Sequence, residues 1–135
     1  MRMRLSWATP LLVSLAAACG PSKPPPTLEE IRQLTKISEL MHVHGRTADP
    51  LFKKINGDWS QADWAMIADS ATRLEAASGR VKALSRGVKW DDWAGGINTK
   101  STALIQAAQA KDGTAAKALL VGMKQDCKSC HGKFR

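Results

Sequence analysis

Tyrosine is missing from this 135-residue chain, cysteine occurs only three times, and no apolar run approaches the ~20 residues that cross a bilayer. The first absence leaves five Trp and two Phe to fill every aromatic position. The second leaves an odd thiol to be accounted for. The third predicts that the chain is not an integral membrane protein. Period-two alternation of apolar and polar residues is also missing, so no strands are expected. No triad, paired carboxylates or phosphate-cradling glycine loop can be found, and an enzyme is not expected.

What is present begins with positive charge: 20 Lys and Arg against 12 Asp and Glu, a formal +8. Arg2 and Arg4 belong to the leader described next, and without them 18 basic residues face 12 acidic ones, or +6. The remaining basic residues are scattered and form no single arm, so a nucleic-acid partner is not expected.

Residues 1–18 have the layout of a secretory signal peptide: the basic start MRMR, an apolar stretch from Ala8 to Leu15, and Ala16-Ala17-Ala18 ahead of Cys19. Pro10 interrupts the stretch, which is too short to span a membrane. Leu15-Ala16-Ala17-Ala18-Cys19 resembles a bacterial lipoprotein box, in which the cysteine is lipidated and becomes the new N-terminus. Leu stands one place earlier here than in the usual pattern, and an ordinary cut after Ala18 is the alternative. Lipidation accounts for the lone thiol, and several acyl chains at about 0.8 kcal/mol per buried methylene give stable anchoring. Residues 19–26, CGPSKPPP, then read as a Pro-rich tether. The expected location is periplasmic, lipid-anchored to a membrane.

From 27 to 135 the apolar pattern is helical, and four helices are expected. Thr27 and Glu30 form a capping box for the first, whose seam runs through Ile31, Leu34, Ser38, Met41, Gly45, Ala48, Phe52 and Ile55. Pro50 predicts a kink or break at Asp49. Ser60 and Asp63 open the second, with the seam Trp64, Ile67, Ala71, Leu74, Ser78 and Val81, ending near Ser85 with Gly87 beyond. The third is secure from Thr99 to Lys111; Trp90–Trp93 can begin it, but Gly95-Gly96 weakens that turn. Asp112-Gly113-Thr114 breaks the chain before the fourth, Ala115 to about Phe134. Short connections between amphipathic helices predict an all-α, antiparallel up-down four-helix bundle.

The chemistry concentrates at the end of the last helix. Cys127-Lys128-Ser129-Cys130-His131 is C-x-x-C-H, the c-type haem attachment signature. Each thiol adds across one porphyrin vinyl group, and two intervening residues match the vinyl separation. On a helix, positions 127, 130 and 131 share one face, so His131 projects its imidazole at the iron as axial ligand. A redox disulfide belongs at a helix start in a βαβ setting, and a closed zinc site wants four ligands; only His42 and His44 remain, without finger spacing. One covalent haem c is expected.

A C-x-x-C-H at the C-terminal end of a four-helix pattern resembles the class II cytochromes c, the cytochrome c′ family and its low-spin relatives. The resemblance covers about Thr27 to Arg135. It implies a left-handed four-helix bundle with haem between the helices, serving electron transfer or, in cytochrome c′ itself, gas binding.

The opposite face of the iron separates those activities. In the low-spin relatives a first-helix Met fills the sixth site; in cytochrome c′ the site is open. Met41, on the seam between the small residues Ser38 and Gly45, is the expected sixth ligand. His44, three residues on, is the alternative, and His42 points about 100° away. The expected function is a one-electron carrier; the alternative is an NO- or CO-binding protein with an open or displaceable sixth site. Lys124, Lys128, Lys133 and Arg135 surround the motif, as a solvated face, as counter-charges to the haem propionates, or as a docking ring for an acidic redox protein. Homodimerisation stays open. Trp59, Trp64, Trp90 and Trp93 sit near helix starts, where end-packing is expected of them ahead of electron relay.

Overall fold

Two hydrophobic clusters, built from five helices, carry the fold in a computed structural model that describes residues 24–134. The helices are α1 (Leu28–Gln33), α2 (Ile37–Lys53), α3 (Gln61–Ala83), α4 (Val88–Ala110) and α5 (Gly113–Phe134). Among the described residues there is no strand. The expected signal peptide, Cys19 and the start of the expected tether lie outside those residues. No described helix is long and apolar enough to cross a membrane.

Helices α2 and α3, α3 and α4, α4 and α5, and α2 and α5 pack on one another, while short α1 lies on α3. The result is an all-helical bundle. Connections are tight: 54–60, 84–87 and 111–112. Lys111 adopts the left-handed conformation, with φ of 54°, that closes many helix C-termini. One residue later the Asp112 carboxylate accepts from the Ala115 N–H at 3.0 Å. The break between α4 and α5 is therefore encoded in two residues.

The expected break in the first helix is displaced. It falls at Leu34–Lys36, and α2 runs straight through Pro50. Pro50 removes one ladder donor and crowds the preceding turn, but only one turn follows it, and that turn carries fully buried Leu51 into the core. At the actual break, Leu34 is extended (φ −63°, ψ 134°). Its carbonyl accepts from Arg80 Nε at 3.1 Å and from a second guanidinium nitrogen at 3.0 Å. A charged fork from α3 thus takes up a backbone acceptor that the helix ladder has released.

That break also rotates the first seam. The buried positions of α2 are Leu40, Val43, His44, Ala48 and Leu51; Ser38 is exposed and Met41 half-buried. On α3 the expected seam holds, with Ile67, Ala71, Leu74, Ser78 and Val81 all buried and Trp64 half-buried.

The third long helix starts earlier than its secure portion, at Val88, and continues through Gly95-Gly96. Gly87, at φ 107°, makes the turn before it. A Cβ on Gly96 would stand 2.9 Å from Asp126 Oδ2 of α5, and one on Gly122 would stand 2.8 Å from Lys100 Cε. The two glycines thus make room for the ion pair Lys100 Nζ–Asp126 Oδ2, 2.7 Å, which ties α4 to α5. Close approach, not helix termination, is what Gly96 provides.

Tryptophans close both ends. Trp59 and Trp64 meet edge to face, centroids 4.9 Å apart, where α3 begins, and Trp59 Nε1 donates to the Lys54 carbonyl at 2.9 Å. Buried Trp90 donates from Nε1 to the Val81 carbonyl at 2.8 Å and packs edge to face on Phe134 at 5.1 Å, as Trp93 does at 6.0 Å. These are apolar bodies with one satisfied polar handle.

Candidate functional site

Buried residues on α5 fall at Ala116, Leu120, Met123 and Cys130, with Cys127 half-buried between the last two. The alternation of four- and three-residue steps is the seam of a packed helix. It carries the C-x-x-C pair out of solvent and onto the bundle's inner surface. His131, one residue past the seam, is exposed.

Along that seam a cavity of about 610 Å³ opens between α2 and α5, floored by α3 and α4. Its volume lies within the roughly 300–1,000 Å³ of small-molecule and cofactor sites. From α5 come Met123, Cys127, Cys130, His131 and Gly132; from α2 come Met41, His44, Gly45 and Ala48; Leu74, Val81, Ala94 and Ile97 supply apolar walls from the two remaining helices. Both hydrophobic clusters contribute: Leu74, Ile97 and Met123 belong to one, Val81, Ala94 and Cys130 to the other. The cavity divides the core.

Every sequence-predicted haem residue among the described ones reaches this space, although Met41 and His44 are 83 or more positions before the cysteines. His42 does not: it is exposed and borders a separate groove beside the tether and α1. Lys124 and Lys128 stand at the cavity margin and Lys133 stays outside it. Arg135 and Cys19 lie outside the described residues.

The thiols are free, and their setting suits thioether formation better than disulfide exchange. Burial pushes the Cys127 thiol up to about 11, with the Asp126 carboxylate and Cys130 adding to it. Burial raises Cys130 as well. A redox pair needs the reverse, a thiolate favoured by a helix N-terminus or a nearby cation. These cysteines sit in the closing turns of α5. Among the described residues no three His, Cys, Asp or Glu side chains are grouped as a bare metal-ion site.

His44 is the other distinctive group. It is 8% exposed, and its Nε2 is buried without a hydrogen-bond partner. Burial, reinforced by the charge of nearby His131, pushes its imidazole down to about 4. At neutral pH the ring is therefore uncharged, the form in which imidazole binds metals.

Haem c fits what is there. Two thiols one helical turn apart and an imidazole beside them line one side, and an orphaned imidazole nitrogen and a thioether line the other. Between them, Gly45 and Gly132 have nothing within 4 Å of where a Cβ would stand, so a flat ring can lie close to both backbones.

No protein-family model matches the chain, and no curated protein and no solved structure matches it. The site itself carries the case.

Sequence reasoning passed over the α3 and α4 walls and the Lys100–Asp126 pair, which anchors α5 at the residue before Cys127. Gly95-Gly96 was the available signal. Glycine inside a helical pattern marks a close approach as well as an end.

Proposed function

We propose that the chain is a class II-like c-type cytochrome, a one-electron carrier holding a single haem in the cavity between α2 and α5. Cys127 and Cys130 would hold it covalently, His131 would ligate the iron, and Met41 or His44 of α2 would supply a second iron ligand. When bound, haem supplies a ferric–ferrous couple. The residues of the chain do the rest. Leu74, Val81, Ala94 and Ile97 keep water from the ring and lower the local dielectric, which tunes the potential. Lys124 and Lys128, at the margin, neutralise the propionates and favour an acidic redox partner by raising its association rate.

The observation that carries this reading is the cavity, because it gathers one thiol pair and two imidazoles from helices far apart in sequence. Alternation of short connections and seam-bearing helices supports the antiparallel arrangement of α2–α5 that the class II resemblance implies. Two coordinating side chains on α2 argue for a carrier over an open gas-binding site. The chain is read as a non-enzyme without a nucleic-acid partner. Export by residues 1–18 and anchoring through lipidated Cys19 would place the domain at the periplasmic face of a membrane, at the end of its Pro-rich tether.

Replacing Cys127 and Cys130 together by Ala tests the reading. Wild-type protein exported in a host that matures c-type cytochromes should give a haem-stained band on a denaturing gel, and the double variant should give none. A stained variant, or an unstained wild type, overturns the proposal.

A further inference from the structure

We propose that His44, through Nε2, is the second axial ligand, so that the iron is held between two imidazoles and Met41 serves only as a wall of the cavity. The inference rests on the haem reading above and decides between the two α2 side chains that reading leaves.

Both candidates line the cavity, and they differ in what each requires there. A thioether is an apolar filler that packs in a core with no partner. An imidazole nitrogen buried without a hydrogen bond is a rare feature that calls for an explanation, an unseen ion among them. Nε2 of His44 is in that state. His44 also sits on the buried face of α2 with Leu40, Val43, Ala48 and Leu51, whereas Met41 is half-buried at its edge. The next residue, Gly45, has open space where a Cβ would stand, so a ring plane can come against α2 beside the imidazole. His131 lines the same cavity from α5. Axial ligation gives the orphaned nitrogen a partner and gives the iron an identical donor on each side.

Two consequences follow. A second imidazole sets a lower reduction potential than a thioether would, and the sixth site is closed to diatomic gases unless His44 leaves.

The test uses the exported, haem-bearing protein. The wild type is expected to be low-spin in both oxidation states, to lack the far-red thioether-to-iron band when oxidised, and to resist carbon monoxide when reduced. Met41→Leu should leave all three properties unchanged. His44→Gly should turn the haem high-spin and open it to carbon monoxide, and added free imidazole should restore the low-spin spectrum. A purely structural role for His44 would not give that rescue. A thioether band that disappears in Met41→Leu overturns the inference while the carrier reading stands, and a high-spin wild type overturns it in favour of an open site. If His44→Gly does not accumulate, the wild-type and Met41→Leu spectra decide alone. A wild type without covalent haem overturns the parent reading, and this one with it.

Discussion

Enlarging Gly45 should act in opposite directions on the haem-free and haem-bearing protein. The residue lies inside α2, lines the cavity, and has nothing within 4 Å of the position a Cβ would take. Gly45→Leu in the haem-free chain gains roughly 0.8 kcal/mol of helix propensity. Leu burial is worth about 1.5–3 kcal/mol when complete, and a side chain projecting into a cavity open on one side realises about half, near 1 kcal/mol. The total, about 2 kcal/mol, corresponds to a rise of roughly 10 °C in Tm for a domain of this size. In the haem-bearing protein the same side chain occupies space that the ring requires. Two measurements are needed: thermal unfolding by circular dichroism on leaderless protein made without haem attachment, and haem per chain on exported protein. The expected outcome is a higher Tm in the first and a sharp drop in haem in the second. Full haem loading of Gly45→Leu would refute the placement of the ring against α2. A lowered Tm would refute the open space at Gly45. Haem loading still decides if the haem-free chain shows no cooperative transition.

Cys19→Ser should move the protein from the membrane fraction to the soluble periplasmic fraction or block its processing, and mass spectrometry of a mature wild-type N-terminus with an unmodified Cys19 would contradict the anchor. Asp63 makes a pH prediction: its carboxyl is held down at about 2, chiefly by the hydrogen bond from Lys54 and then by the Ser60 cap. A carboxylate depressed below its ordinary value near 3.8 stabilises the fold above that value, and the contribution is lost as pH falls toward 2. Denaturant midpoints of Asp63→Asn should therefore fall less steeply than wild type between those pH values, and parallel curves would count against the Lys54 and Ser60 contacts holding the carboxyl down.

Much of the helical content was legible because it rests on local rules. Thr27 with Glu30 and Ser60 with Asp63 form capping boxes where the pattern put them, and the α3 seam from Ile67 to Val81 is buried as read. The errors came where a distant group decides. Pro50 is a local breaker, but the buried Leu51 beyond it holds the last turn of α2 in place. The break moved to Leu34 because Arg80, 46 positions later, takes the freed carbonyl. Gly95-Gly96 reads locally as a weak turn, yet the helix continues because Asp126 of α5 needs the space at Gly96.

By itself the sequence determined the attachment chemistry proposed here: the spacing of Cys127, Cys130 and His131 puts three groups on one helical face without help from any other segment. For the opposite side it offered Met41 and His44, with an open sixth site as the alternative. Tertiary structure alone decided that His44 is buried with an unpartnered Nε2 while Met41 is half-buried, because that depends on the rotation of α2 after the break at Leu34–Lys36. The rotation is set by contacts among residues remote in sequence, Arg80 on Leu34 and Leu40 and Leu51 in the core. A periodicity drawn through one segment has no means of fixing its phase against such contacts.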